Sequence, residues 1–386
     1  MKQFFTSFLI LILLNVSFPY AVVLAQGYDP SIEPDSGAVV CPPGVYLAPP
    51  ADCSPLGPSA YLTGLASLGL TFPPRPLPAH SPNPELVSIP YRYFMVESTG
   101  TYLYPSLADA SSQQASSVFM KGFVYVAYTD RVDTGHGIYY MTPDGWWLPG
   151  KGSRVSAYSD FQGLLFDKTP CNSFGWIIEE VPTKSAPGYN APDTGQRLYR
   201  FNIVQVYSTE IVADMEWDLI GPDEWVEGRK VARVILSTIP PEGVTTGRWI
   251  EVNLEEQTLT VYSQSELVFA TMIATGLEPF WTKPGLFQIY EKKPIENMSG
   301  SFEADKSDYY YLQNVPWTMY YDQARALHGA YWHTNFGYQQ SHGCINMSVG
   351  DSRWLFDWSQ VGDWVYVHDP SGRTPTDPSL YTTGAP

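Results

Sequence analysis

The chain has 386 residues, enough for two to three domains, and 44% of them are hydrophobic, so it is not a disordered chain. Its net charge is −17, which excludes a binder of phosphate backbones, for which a basic face is needed, and a surface that sits on anionic lipid. Charged residues are only 16%, while 27 Tyr, 12 Trp, 34 Pro and 31 Gly favour strands and turns over long surface helices.

Residues 1–25 read as a signal peptide. Lys2 is a minimal basic start, Phe4 to Leu14 is an apolar run, and Val23-Leu24-Ala25 ends on a small residue suited to cleavage before Gln26. The run is short for a membrane span and Pro19 interrupts it, so cleavage is favoured over an uncleaved anchor. No later segment is long and apolar enough to span. The expected location is outside the cytoplasm, with no stable membrane insertion after cleavage.

Residues 26–90 read as a Pro-rich spacer with little regular structure. Cys41 and Cys53 lie close together in it and suit one short disulfide in an oxidising compartment. Cys171 and Cys344 would complete a second pair, a pairing that the surroundings of Cys344 argue against.

Residues 91–156 and 157–240 read as two small β modules. Pro143-Asp144-Gly145-Trp146 recurs as Pro222-Asp223-Glu224-Trp225, each after an aromatic β-type stretch and before a short basic patch. The pattern loosely resembles the tandem Src-homology-type barrels of exported bacterial wall enzymes. A rigid pedestal with Trp in its core is favoured over a glycan- or peptide-binding role.

From Gly247 the patterning sharpens. Residues 249–254 and 258–262 alternate with period two around a polar turn at Glu255-Glu256-Gln257. Further strands are expected at 268–273, 286–290 and 365–367, with a turn at Pro284-Gly285. Ser348-Val349-Gly350-Asp351 has the form of a helix N-cap with an acidic partner three residues on, leading a helix through Trp358. Residues 370–386 read as a tail.

Reactive side chains crowd one stretch. Four of the six His and one of the four Cys follow residue 327. Leu327-His328-Gly329-Ala330-Tyr331-Trp332-His333 precedes Ser341-His342-Gly343-Cys344-Ile345-Asn346. A thiol with a pKa of about 8.5 is mostly protonated at neutral pH, so an imidazole that takes its proton makes the nucleophile. The N–H groups around Gly343 and Cys344 are candidates for an oxyanion hole. Against this stand a structural disulfide through Cys344, a metal site built from His328, His333, His342 and Cys344, and a packed role for His333. The His and Cys spacing fits no common zinc pattern, so no metal is expected.

Ser341-His342-Gly343-Cys344-Ile345-Asn346 resembles the Ser/Thr-His-Gly-Cys-apolar-Asn signature of the L,D-transpeptidase (YkuD-type) catalytic domain. The resemblance covers roughly Gly247 to His368. It implies Cys344 as nucleophile and His328 as proton donor and acceptor. It further implies Gly329 as a backbone that orients the imidazole and His342 as a shaper of the loop and pocket, while Gly343 lets the backbone approach closely. The interval from His328 to Ser341 is shorter than the family's usual one, so His333 stays open as the base, with His328 preferred. Ser341, Asn346, Tyr331, Trp332 and Tyr320 are expected to contact substrate.

The fold expected is therefore mainly β: a catalytic β-sandwich at 247–369 with one or two short helices, preceded by the two small barrel-like modules. The resemblance implies a cell-wall or periplasmic enzyme that attacks the third-residue carbonyl of a peptidoglycan tetrapeptide stem. It releases D-alanine and passes the acyl group to an amine, giving a 3→3 cross-link. No cofactor and no nucleic acid are called for, and a monomer is expected. An L,D-carboxypeptidase using water, a wall-binding protein with a vestigial catalytic domain, and a metal-dependent hydrolase are the alternatives.

Overall fold

The computed structural model describes residues 77–96, 100–114, 118–151, 153–301 and 309–381. The expected signal peptide, the expected Cys41–Cys53 pair and most of the expected spacer lie outside the described residues. Among the described residues no helix is long and apolar enough to cross a membrane.

The elements that build the site are, in chain order, β1 (Arg92–Val96), β2 (Phe123–Tyr128), β3 (Ser153–Ser156), β4 (Leu164–Phe166), β5 (Arg248–Asn253), β6 (Thr258–Ser263) and β7 (Glu266–Met272). There follow β8 (Gly285–Gln288), β9 (Glu291–Gly300), β10 (Tyr310–Asp322), β11 (Arg325–Gly329), β12 (Ile345–Met347), helix α1 (Val349–Trp358) and β13 (Trp364–His368). One sheet runs β4-β7-β6-β5-β13-β8, with the short strand Ala79–His80 at the β4 edge. A second runs β12-β11-β10-β2-β1-β3, and β9 also pairs with β10. The chain is mainly β, as the composition and alternation predict.

The first sheet is covered on both faces, which is why its strands are apolar almost throughout. One face sends Ile250, Val252, Leu259, Val261 and Phe269 against Leu327, Ile345 and Met347 of the second sheet and Leu355 of α1. The other sends Trp249, Tyr262, Leu267 and Met272 against Phe174, Trp176 and Val234. Trp249 and Tyr262 stack with their ring centroids 4.5 Å apart.

The two segments expected as separate modules are joined to this body. Strands β1, β2 and β3 extend the second sheet, because β2 pairs in parallel with β10. Residues 91–156 keep a small core of their own around Phe94, Val124, Val126 and Leu148. Their other face, with Tyr93 and Tyr125, packs on Leu312, Val315 and Tyr331. Strand β4 joins the first sheet through Leu164 and Leu165. Both Pro-Asp turns close hairpins, Ile138–Met141 to Trp147–Pro149 and Met215–Gly221 to Glu224–Glu227. Trp225 is buried, whereas Trp146 is half-buried.

Two stretches read as irregular carry packing. Residues 77–90 of the spacer include a 3-10 turn at Pro84–Val87, and Leu77 and Ala79 pack on the core. The tail forms a 3-10 turn at Pro378–Tyr381 whose tyrosine is buried. Both have enough apolar side chain to be held, which their Pro content obscures.

Helix α1 starts at the junction of these parts. Ser348 caps it by accepting the Asp351 N–H. Asp351 accepts the Gly163 N–H (2.9 Å) and the Thr271 hydroxyl (2.5 Å). Burial raises its carboxyl from 3.8 to about 6.

Candidate active site

Strands β11 and β12 are parallel neighbours in which Leu327 pairs with Ile345 and His328 with Asn346. Leu327 and Ile345 face the core. Strand alternation therefore turns His328 and Asn346 to the opposite side, with Cys344 just before β12. All three line one cleft with Ser341, His342, Tyr320 and Trp332.

The His328 ring is buried, and its Nδ1 lies 3.3 Å from the Gly329 carbonyl oxygen. With the proton on Nδ1, Nε2 keeps its lone pair for the cleft. Gly329 has no room for a side chain, since a Cβ would lie 2.6 Å from Ser352 Oγ. Burial lowers the His328 pKa from 6.5 to about 4.

Cys344 is half-buried and carries a free thiol, 3.8 Å from the Ala324 carbonyl oxygen. Burial pushes its pKa above the usual 9.0, and the Ala326 backbone and the Arg325 guanidinium offset this only in part. Arg325 is held by Asp322 at 2.9 Å and lies 5.3 Å from the Tyr381 ring of the C-terminal turn.

The loop that carries Cys344 is tightly fixed. Ser341 Oγ accepts the Gly343 N–H (3.1 Å) and donates to the Cys344 carbonyl (2.5 Å). Thr282 Oγ1 accepts the Gly276 N–H and donates to the Gly343 carbonyl. Gly343 has φ +114°, a conformation that favours glycine. Its N–H is thus occupied, whereas the Cys344 N–H makes no hydrogen bond among the described residues.

His333 lies behind the cleft. Its Nδ1 accepts the Asn335 N–H (3.2 Å) and its Nε2 is 2.9 Å from the Asn346 amide. Arg200 holds the following loop through the Thr334 (3.0 Å) and Phe336 (2.7 Å) carbonyls. His342 is exposed at the rim, 4.9 Å from Phe280 and 5.6 Å from Tyr310 between ring centroids.

Tyr331 does not reach the cleft. It is fully buried, stacks on Tyr93 at 3.5 Å and donates its hydroxyl to Gln313 O. Trp332, its neighbour, lines the cleft, 5.6 Å from His328 and in edge contact with the Tyr331 ring. Phe123, Met298, Tyr310 and Leu312 line the cleft without having been expected to. The run Tyr309-Tyr310-Tyr311-Leu312 was the available signal. Among the described residues no group of three or more His, Cys, Asp or Glu could hold a metal ion.

Residues 247–367 match the YkuD family, the L,D-transpeptidase catalytic domain. The L,D-transpeptidase domain thus takes in β5 to β12, α1 and most of β13, with both His328 and Cys344. The structure of the Enterococcus faecium L,D-transpeptidase catalytic domain is similar at 26% identity, covering 33% of this chain and 100% of that one, with a TM-score of 0.29. An L,D-transpeptidase from Stackebrandtia nassauensis is 26% identical over 34% of this chain and 59% of that one, less than two-thirds of its length, with a TM-score of 0.26. One from Mycobacterium smegmatis is 18% identical over 55% of this chain and 93% of that one, with a TM-score of 0.30. The comparison with curated proteins gives no match.

The pKa directions predict the reactivity of the L,D-transpeptidase domain. Burial holds the His328 pKa down at about 4 and pushes the Cys344 thiol above its usual range. Between these the resting pair is neutral thiol and neutral imidazole. Alkylation of Cys344 by iodoacetamide is expected to be slow at neutral pH and to rise steeply as the pH is raised toward and past 9, with no thiolate absorbance at 240 nm at pH 7. A thiolate band already present at pH 6 would mean a preformed ion pair instead.

Proposed function

We propose that the protein is a peptidoglycan L,D-transpeptidase. The observation that carries this is the common facing into one cleft of His328, on β11, and Cys344, immediately before the parallel strand β12, within a domain that matches that family. Cys344 Sγ attacks the carbonyl carbon of the third stem residue as His328 Nε2 takes the thiol proton. The tetrahedral oxyanion receives the Cys344 N–H, a type of contact worth about 2.7–4 kcal/mol. Collapse breaks the amide bond, and His328 returns the proton to the departing D-alanine amine. An amine of a second stem then attacks the thioester, with His328 taking its proton and returning it to the sulfur, which gives a 3→3 cross-link. A peptidoglycan substrate puts this reaction outside the cytoplasm.

Two features support His328 over His333 as the base. His328 lines the cleft with Nε2 unbonded among the described residues, while both His333 nitrogens have neighbours within hydrogen-bond distance. Ser341 lines the cleft, and its hydroxyl also positions the loop through the Gly343 N–H and the Cys344 carbonyl.

The test is intact-protein mass spectrometry after mixing with a carbapenem, whose acyl adduct mimics the thioester. A one-to-one adduct is expected on the native protein and none on Cys344→Ala. An adduct retained by the variant, or none on either protein, would sink the reading.

A further inference from the structure

Residues 91–156 do more than stand beneath the catalytic cleft. Strand β2 begins at its mouth, where Phe123 pairs with Tyr310 and donates its N–H to the Tyr309 carbonyl (3.2 Å). The approach is close enough that a Cβ on Gly122 (φ +115°) would fall 2.4 Å from Tyr309 O. Phe123 is 43% exposed, and its ring forms part of the cleft lining with Met298, Leu312 and Trp332. Tyr125, next on the same side of β2, lies 5.1 Å from the Phe123 ring and donates its hydroxyl to the Trp332 carbonyl (3.3 Å).

A large exposed aromatic ring has a hydration cost that a bound apolar group relieves. Here it lies in the wall of a cleft that holds a nucleophile, on a strand fixed by backbone pairing and by Tyr125. We propose that Phe123 is a specificity-determining residue, an apolar wall that takes an aliphatic portion of the peptide acyl donor. The 91–156 segment is then part of the substrate site rather than a pedestal. The proposal rests on the acyl-transfer reading given above.

The test compares two reagents at Cys344, an N-acetylated tripeptide thioester and iodoacetamide, in wild type, Phe123→Ala and Phe123→Leu. Acylation by the peptide thioester, followed by mass spectrometry, is expected to fall about tenfold in Phe123→Ala and to recover largely in Phe123→Leu. Alkylation by iodoacetamide is expected to stay within twofold, because Phe123 does not touch the thiol. Equal thioester rates in wild type and Phe123→Ala overturn the proposal alone, as does an equal fall with both reagents. A wild-type protein that iodoacetamide labels but the thioester does not would sink the acyl-transfer reading and this proposal together.

Discussion

Replacing His328 with Gln is expected to lower kcat for D-alanine release from a tetrapeptide stem by about 10²–10⁴-fold, with KM little changed. Gln fills much of the imidazole's space but cannot take the thiol proton. Because the Cys344 thiol is pushed above 9, the variant has no thiolate to fall back on at neutral pH. Its residual rate should therefore climb steadily as pH is raised past 9, where the wild-type rate no longer needs the base. His333→Gln keeps a hydrogen-bonding partner for Asn346 and is expected to lose far less. Steady-state kinetics on both variants, with melting temperatures as a folding check, decide between them. A silent His328→Gln beside an inactive but folded His333→Gln would reverse the two roles.

The second large effect is on stability. Arg233 bridges Glu216 (2.6 Å), Asp218 (3.4 Å) and Glu256 (2.6 Å), and its backbone N–H also reaches Glu256 (2.9 Å). Asp218 and Glu256 are buried, at 0% and 4% side-chain exposure, and Glu256 sits in the turn between β5 and β6. Burial alone would lower the Arg233 pKa. The Glu256 hydrogen bonds and the surrounding carboxylates outweigh it and raise the pKa. Arg233→Met leaves these buried carboxylates facing each other without a cation and is expected to cost about 3–5 kcal/mol. The measurement is the urea midpoint at pH 7 with the slope of the transition. Adding Glu256→Gln and Asp218→Asn to Arg233→Met should restore most of the loss. A loss below about 1 kcal/mol would place the network among ordinary surface ion pairs.

Much of this was legible locally. The alternation at 249–254 and 258–262 gave β5 and β6, and Ser348 with Asp351 gave the start of α1, because each pattern is written in neighbouring residues. The reactive cluster was visible because Cys344 and two of the histidines stand so close in the chain. The long hairpin β9–β10 was not foreseen. Pro294 and Pro316 interrupt its pattern, and a register shift between Glu296 and Met298 breaks the alternation. Tyr331 was placed in the cleft because it adjoins Trp332, yet its ring stacks on Tyr93, a partner more than 200 residues away that no local pattern announces. The contribution of Phe123 depends on a pairing between positions 123 and 310, which no local pattern encodes. The same holds for Tyr381 against Arg325. The occupied N–H of Gly343 depends on a single hydroxyl rotamer at Ser341, a detail that the motif's letters do not carry.

The parallel pairing of β2 with β10 also bears on how the protein comes into being. Residues 92–128 leave the ribosome long before the strand that completes their sheet exists. Until Tyr310–Leu312 arrive, one edge of β2 exposes unpaired backbone next to Val124 and Val126. Such long-range pairing forms slowly and late. Phe123 and Cys344 therefore come together only when nearly the whole chain is present, and a partly made molecule has no complete cleft. Cutting the chain before β5 to obtain the catalytic part alone would reopen the β10 edge and leave a half-walled cleft.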